Sequence, residues 1–224
     1  MALDLDGVDD EVNHGDIAAF DGTATFSCMC WVNIDDMTGV YVPFIAKIVS
    51  ATPYCFVFGT RVSLASTVFV AIGAAGSNYG ETASGTRIDG VTEHWAFTYD
   101  GGGAANADRL KIYKDGIAQS LTYTGTIPAT SSDAGTDPVR VGRNQRDATF
   151  ADGRIAFVKA WSVALTAAEI AQEAHSYRPI RTAGLLIWAP YDDGTSARDY
   201  SGNGNHGTIT GALQFQGPPV SYGG

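Results

Sequence analysis

The fold is decided by a short alternating stretch, FSCMCWV at residues 26–32. Its apolar residues at even positions, from Phe26 to Val32, fall on one side of an extended chain, because successive side chains of a β-strand point to opposite faces. Similar apolar and β-branched runs recur at 44–49, 54–58, 68–72, 95–99, 110–113, 139–141, 155–161 and 185–188. Many short strands with an apolar face predict a sandwich of two antiparallel sheets.

Tight turns separate these strands. Asp-Gly pairs stand at 89–90, 100–101, 115–116 and 152–153, and the chain contains 27 glycines in 224 residues. An Asp-Gly pair supplies the positive φ that a two-residue hairpin turn requires. We therefore expect an all-β jelly-roll sandwich that occupies residues 1–224 as a single domain.

One segment has a helical signature instead. In LTAAEI at 165–170, Thr166 and Glu169 have the spacing of a capping box, in which each side chain bonds the other residue's backbone N–H. This predicts one short helix near 167–177, ending before Pro179, because proline restricts the residue that precedes it.

The composition argues against nucleic acids and membranes as partners. The net charge of −10 would repel the phosphates of nucleic acids and of anionic membranes. No apolar run approaches the ~20 residues of a transmembrane helix. The N-terminal MALDLDGVDD lacks the basic and apolar parts of a secretion signal. We interpret Cys28, Cys30 and Cys55 as buried apolar residues of a chain made in a reducing compartment, rather than as disulfide or zinc ligands.

Several motifs, in order, resemble one family. They are LDLDGVDD at 3–10, FSCMCWV at 26–32, HWAFTYDG at 94–101, LKIYKDG at 110–116 and the segment from Gly153 to Ile170. Together they resemble the laminin-G-like, or concanavalin-A-like, jelly roll over residues 2 to about 177. The resemblance implies the same two-sheet sandwich.

The order of the last segment departs from that family. Residues 184–208, with DYSGNGNHGT at 199–208, are similar to what usually precedes the opening strand. A circular permutation would explain this order. The pattern Ala-Leu-x-apolar-x-Gly also occurs twice, at 2–7 and 212–217. Residues 184–224 therefore either exchange a strand with a neighbouring subunit in a homo-oligomer or add strands that close the same sandwich.

The residues of a glycosidase are missing from the pattern. The resemblance implies that catalytic relatives carry Glu-x-Asp-x-Glu or a close variant, and none of the five glutamates stands in such a setting. Asp4 and Asp6 share a strand face, but the adjoining turn gives Asp6 a structural role. The four histidines have no Gly-x-Ser-x-Gly motif to serve and no paired metal-ligand spacing. We expect a protein that is not an enzyme.

Calcium is the metal that suits the Asp-rich turns. The resemblance implies a calcium ion at the rim of many relatives, and Asp6, Asp9 and Asp10 would supply part of such a site. Relatives commonly carry an acidic residue where this chain has Ala156. The alternative is that these aspartates are solvated and cap backbone amides in the turn. We expect that Ca²⁺ is compatible with the protein but not required.

Exposed aromatic and amide side chains are the candidates for glycan binding. Tyr79 lies beside Asn78 in a Gly-rich loop, and Tyr54 is a second aromatic candidate. A polar cluster follows at Asn144, Gln145, Arg146 and Asp147. Partial burial on a sheet face is the alternative for each aromatic.

Two function classes remain open at this stage. The first is a non-catalytic surface or decoration protein on a virion, because the chain resembles laminin-G-like proteins of tailed phages. Such a protein would be made in the host cytoplasm, would contact other virion proteins or its own copies, and could adhere to cell-surface glycans. The second is a carbohydrate-binding or accessory domain of a secreted polysaccharide-degrading enzyme.

Overall fold

A computed structural model gives the fold of the chain. The structure describes residues 2–36, 41–48, 54–61, 66–73, 77–146, 148–191, 196–211 and 213–215. These residues form two large antiparallel sheets that pack as a jelly-roll sandwich, which confirms the predicted fold class.

Sheet A contains eight strands among the described residues. They are β1 (Ala2–Asp6), β3 (Thr25–Asp36), β8 (Glu93–Asp100), β9 (Leu110–Lys114), β10 (Ile117–Ala118), β15 (Asp152–Trp161), β16 (Leu185–Ala189) and β18 (Leu213–Phe215). Their spatial order is β10-β9-β8-β3-β15-β1-β18. The long strand β15 carries β1 and β16 one after the other along the edge opposite β3.

Sheet B also contains eight strands in the described part of the chain. They are β2 (Glu11–Asn13), β4 (Tyr41–Ile48), β5 (Tyr54–Arg61), β6 (Thr67–Gly73), β7 (Tyr79–Thr82), β11 (Leu121–Thr124), β12 (Val139–Val141) and β17 (Thr208–Thr210). Their spatial order is β11-β7-β6-β5-β4-β12-β2-β17. A small separate hairpin joins β13 (Arg143–Asn144) to β14 (Thr149–Phe150).

The core between the sheets follows the period of two that the sequence shows. On β3, the even-numbered residues from Phe26 to Ile34 all belong to the central cluster, whereas Met29 and Trp31 pack on the outer side of sheet A. Aromatic rings fill the middle of the sandwich, where Phe26, Phe56 and Phe97 lie within 5.2–5.8 Å of one another. Burying these rings is the main source of the fold's stability.

The capped helix forms as predicted but is shorter. Helix α2 covers Ala167–Glu173; the Glu169 carboxylate accepts from the Thr166 N–H at 2.8 Å, and Thr166 Oγ1 accepts from the Glu169 N–H. The helix ends at Glu173, before the predicted Tyr177, because the amides of His175 and Ser176 bond carbonyls three residues back rather than four, which tightens the last turn.

The prediction of a single helix is incomplete. A second helical turn, α1, covers Asn106–Arg109 before β9, and a 3₁₀ turn covers Ala18–Phe20. Asn106 holds the first of these in place, since its side chain bonds the backbone of Gly125 and Ile127. So short a turn has no amphipathic period from which it could be predicted. No helix among the described residues has the length and apolarity that a membrane crossing demands.

The late segment of the chain lies on the same sandwich. Strand β16 pairs with β15, β17 pairs with β2, and β18 pairs with β1 in the register Ala2 to Phe215. The described part of the second Ala-Leu pattern, Leu213–Phe215, is therefore the neighbour of the first within one sheet. This pairing is that of a single chain, and strand exchange between copies stays a prediction.

Residues 199–205, which precede β17, cover the free edge of β16. The Asp199 carboxylate, which is buried, accepts from the amides of Trp188, Ser201 and Asn205 at 2.8–3.0 Å. The side chains of Asn203 and Asn205 donate to carbonyls of β16. The polar groups of this edge are thus satisfied within the chain, which protects it from pairing with another strand.

Candidate functional site

The outer face of sheet B carries a second apolar cluster, separate from the core. Its buried members are Ala46, Ile48, Tyr54, Val57, Phe69 and Ala71, and the partly buried Tyr41 and Tyr79 pack against them. These side chains face outward because their neighbours along β5 and β6, such as Phe58 and Val70, point into the core. Sheet B therefore carries apolar side chains on both its inner and its outer face.

Three aromatic rings pack against one another in a row on this face. The rings of Tyr41 and Phe69 lie 5.5 Å apart between centroids, and those of Phe69 and Tyr79 lie 6.5 Å apart. Tyr41, Phe69 and Tyr79 stand on β4, β6 and β7, so the row of rings runs across the strands. Tyrosine rings that are half exposed present a flat apolar surface with a hydroxyl at its rim.

Two arginines lie over these rings. The Arg61 guanidinium carbon is 4.7 Å from the ring centroid of Tyr79, and that of Arg146 is 5.2 Å from the ring centroid of Tyr54. Arg61 also pairs with Glu81 at 3.6 Å. The face therefore combines aromatic surface with charged donors held in place by cation–π contacts.

The structure gives the predicted aromatic candidates a common location. Tyr54 and Tyr79 border the same apolar cluster, and Arg146 reaches it from the β13–β14 hairpin. Tyr79 does not lie in a loop, as the sequence suggested, but is the first residue of β7, where it pairs with Ala71. The glycines nearby had concealed the strand because they interrupt its apolar run.

The amide candidates have structural roles. Asn78 Oδ1 accepts from the Thr126 N–H at 3.2 Å and ties two loops together. Asn144 is buried, and its Oδ1 accepts from the Arg146 N–H at 3.0 Å, which fixes the turn that carries Arg146. Gln145 Oε1 is buried without a hydrogen-bond partner. Asp147 lies outside the described residues.

Three residues of this face were not predicted as candidates. Tyr41, Phe69 and Arg61 all occupy outward positions of strands whose alternate residues are core residues. Phe69 stands between Val68 and Val70 in an unbroken apolar run, so the sequence shows no alternation there. The run at 68–72 has apolar residues at both odd and even positions, and this pattern indicates that the outer face of the strand is covered or functional.

The β13–β14 hairpin is fastened to sheet B by charge. Glu11 accepts from Arg140 at 2.5 Å and from Arg143 at 3.0 Å, and so links β2, β12 and β13. The Arg143 guanidinium carbon also lies 5.0 Å from the ring centroid of Phe150. These contacts give the hairpin, and therefore Arg146, a defined position beside the outer face.

The three aspartates predicted for calcium do come together. Asp6, Asp9 and Asp10 each offer a carboxylate oxygen within 4.8 Å of the others. Asp10 Oδ2 accepts from the Asp6 N–H at 2.8 Å, and Asp6 Oδ1 accepts from the Val8 N–H. Burial, together with the charges of Asp6 and Asp9, raises the pKa of Asp10. Three crowded hard oxygen ligands of one charge fit a calcium ion, which would relieve their repulsion.

The position of Ala156 bears on this cluster. Ala156 pairs with Trp31, whereas the residue opposite Asp6 on β15 is Asp152. Residues opposite each other in an antiparallel pair share a face of the sheet. Asp152, rather than the residue at 156, is therefore the acidic side chain of β15 nearest the cluster in register. Asp4 pairs separately with Arg154 at 3.4 Å, so Asp4 and Asp6 have different partners.

Comparison with known proteins matches the fold to a family. Residues 6–171 match the family model described as the Concanavalin A-like lectin/glucanases superfamily. No curated protein matches the chain. Among solved structures, the chain is similar to a Bacteroides ovatus protein proposed to bind carbohydrate, at 15% identity and a TM-score of 0.60. That likeness covers 95% of this chain, which spans 59% of the length of the Bacteroides protein.

Two further structures share the architecture. One is a heptameric SAP-like pentraxin from Limulus polyphemus, at 13% identity and a TM-score of 0.55, covering 80% of this chain and 83% of the pentraxin. The other is the CBM40 of the Ruminococcus gnavus IT-sialidase bound to α2,3 sialyllactose, at 10% identity and a TM-score of 0.54. It covers 77% of this chain and 97% of that module. At these identities the likeness concerns the fold.

Proposed function

We propose, from the premise that the chain belongs to the Concanavalin A-like lectin/glucanases superfamily, that it is a carbohydrate-binding domain. The observation that carries the proposal is the outer face of sheet B, where the partly exposed rings of Tyr41 and Tyr79 lie beside one apolar cluster that includes the buried Tyr54. Sugar rings have apolar faces that stack on aromatic side chains, while their hydroxyls need donors and acceptors beside the rings. The arginines over Tyr54 and Tyr79 supply such donors.

The proposed role is binding without catalysis. Both glutamates of this face, Glu11 and Glu81, are paired with arginines. A glycosidase needs one carboxylic acid that can give a proton to the leaving sugar and a second carboxylate across the scissile bond. Ion-paired glutamates on a flat face suit the orientation of a ligand better than the breaking of its bonds.

A glycan array tests this function. The intact protein should bind at least one class of oligosaccharide, and Tyr79→Ala should weaken that binding by at least about tenfold, or about 1.4 kcal/mol. Lys111→Ala is the control, because Lys111 is exposed on β9 of sheet A and lies outside this face. Binding to no glycan, or equal binding by the two variants, would contradict the proposal.

For calcium, we propose that Asp6, Asp9 and Asp10 would hold the ion at the rim. Its role there would be to fix the β1–β2 turn, next to the start of β15. Backbone hydrogen bonds connect the cluster to the β13–β14 hairpin. The Gly7 N–H donates to the Ala151 carbonyl, and the Ala151 N–H donates to the Gly142 carbonyl. The metal would thereby steady the hairpin that carries Arg146.

We also propose a setting for this binding: display on a virion surface, after synthesis in the host cytoplasm and together with other virion proteins or further copies of the chain. The observation that favours it is that all three cysteines are free and buried, which suits a reducing compartment. Mass spectrometry of purified virions should find the chain, and light scattering should find an oligomer. A secreted accessory domain, the alternative, would be found in the culture medium joined to a catalytic domain.

A further inference from the structure

A second row of aromatic side chains lies on the opposite side of the molecule, on sheet A. Phe157, Tyr177, Trp188 and Tyr200 form this aromatic strip, with successive ring centroids 5.1, 6.1 and 5.6 Å apart. Tyr177 and Trp188 are half-buried, and Tyr200 is 40% exposed. A contiguous row of aromatic rings at the surface indicates a ligand or partner site more strongly than single exposed rings do.

The backbone is distorted where the strip begins. Phe157 has φ +49, a left-handed conformation that costs a bulky residue about 1–2 kcal/mol. The cause is a bulge in β15 between Ala156 and Lys159. The bulge places Ala156 and Phe157 on the same outer side, where Phe157 supports Tyr177. Strain of this kind is characteristic of positions that orient a binding surface.

The far end of the strip is held rigidly. Tyr200 donates its backbone N–H to the Trp188 carbonyl at 2.8 Å, and the adjacent Asp199 accepts from the Trp188 N–H at 3.0 Å. One backbone bond and one bond to the Asp199 carboxylate therefore hold Trp188 and Tyr200 next to each other. A platform that is already ordered loses little conformational entropy when a ligand binds.

The charge beside the strip is positive. The Arg198 guanidinium carbon lies 5.2 Å from the ring centroid of Tyr200, and Arg178 is exposed next to Tyr177. No ion pair joins either arginine to a described residue. The neighbouring carboxylates are already engaged: Glu173 binds Lys159, Glu169 binds Arg181, and Asp199 binds backbone amides. Among the residues that the structure describes, two arginines beside the strip thus have no paired carboxylate, in a chain of net charge −10.

We infer that the aromatic strip is a second ligand site, and that its ligand is an oligosaccharide bearing carboxylate groups. The rings of Trp188 and Tyr200 stack on sugar rings, and the guanidinium groups of Arg178 and Arg198 bind the carboxylates. The site is independent of the outer face of sheet B, because it lies on the other sheet and shares no residue with that face. With both sites, one chain could bridge two glycans.

Isothermal titration of the full chain with carboxylate-bearing oligosaccharides tests the inference. The panel contains trigalacturonate and sialyllactose, and galactotriose and lactose are their neutral counterparts. At least one acidic ligand should bind, and its neutral counterpart should bind at least about tenfold more weakly. Tyr200→Ala should abolish the binding, and Arg198→Gln should weaken it at least about fivefold. Both side chains are exposed, so neither change threatens folding.

Tyr79→Ala is the control that separates the two sites. It should leave binding of the acidic ligand unchanged, whereas it should weaken binding at sheet B by at least about tenfold. The inference is overturned if no acidic oligosaccharide binds, if the neutral counterparts bind equally well, or if Tyr200→Ala and Arg198→Gln have no effect. Binding of a single-stranded oligonucleotide, with no binding of the sugars, would also overturn it.

Discussion

The Lys159 ammonium group lies 2.8 Å from the Glu173 carboxylate, and both side chains are almost fully buried under the loop that follows α2. Lys159 also donates to the carbonyls of Glu173 and Ser176, and the second oxygen of Glu173 accepts from the amides of Ile180 and Arg181. Burial lowers the pKa of Lys159 despite this partner. The pair thus fastens the loop that presents Tyr177.

Replacing Glu173 by Gln should lower the free energy of unfolding by about 3–5 kcal/mol, because it leaves a buried ammonium group without its counter-charge. Chemical denaturation followed by circular dichroism measures this. Glu169→Gln is the control. The Glu169 carboxylate is partly exposed, so its replacement should cost only part of the helix cap, which is worth about 1 kcal/mol. Equal losses in the two variants would show that the buried pair has no special role.

His94 provides a prediction that depends on pH. The residue is buried against Trp31, its two ring nitrogens have no hydrogen-bond partner, and burial lowers its pKa to about 3. The unfolded chain binds a proton at this histidine below about pH 6.5, whereas the folded chain does not. Stability due to this group is therefore lost as pH falls from about 6.5 toward 3, by up to about 1.4 kcal/mol per pH unit.

His94→Phe should keep or raise the free energy of unfolding at pH 7, because the ring it introduces has no polar atoms to leave unpaired. It should also reduce the loss between pH 6.5 and 4, relative to the unchanged protein. Denaturation curves at several pH values measure both effects, with the exposed His175→Asn as the control. A marked loss of stability at pH 7 would mean that the imidazole makes a bond that the fold needs.

The three thiols should be inert in the folded protein. Burial raises the pKa of Cys28 and Cys30 well above the usual range and that of Cys55 to about 12. The thiolate is the reactive form, so iodoacetamide at pH 8 should modify none of the three until the chain is unfolded in guanidinium. Mass spectrometry counts the added groups, and rapid modification of the native protein would contradict the described burial.

Calcium should raise the melting temperature of the protein, and EDTA should reverse the rise, if Asp6, Asp9 and Asp10 bind the ion. Asp9→Asn should abolish the rise. Asp133→Asn should not, since Asp133 is an exposed aspartate whose carboxylate accepts from the Gly135 N–H in a separate turn. Identical melting of the unchanged protein with calcium and with EDTA would leave these aspartates a structural role alone.

The sequence predicted the structure best where the prediction depended only on residues close together in the chain. The alternation at 26–32 assigns the even-numbered residues to one face of a strand, and the structure confirms that they lie in the core between the sheets. The Thr166–Glu169 capping box also formed as predicted, since it depends on contacts three residues apart. The end of that helix was predicted wrongly because its last turn tightens at His175 and Ser176, where no glycine or proline marks the change.

The outer faces were harder to predict, because they depend on register. Tyr54 and Tyr79 were identified as candidates, but their shared face results from the pairing of β5, β6 and β7. The aromatic strip was missed altogether. Trp188 stands in a strand-like run and suggested ordinary packing, and only the bulge at Phe157 and the loop at Tyr200 bring it beside other rings.

The most direct test of the account is a nuclear magnetic resonance titration of the ¹⁵N-labelled Tyr200→Ala variant with the glycan that binds best on the array. This variant removes the second site, so the remaining binding reports on sheet B. The account predicts that the largest amide shifts occur at Tyr41, in β6 from Thr67 to Gly73 and in β7 from Tyr79 to Thr82. Shifts confined to other parts of the sandwich, with β6 and β7 unaffected, would contradict it.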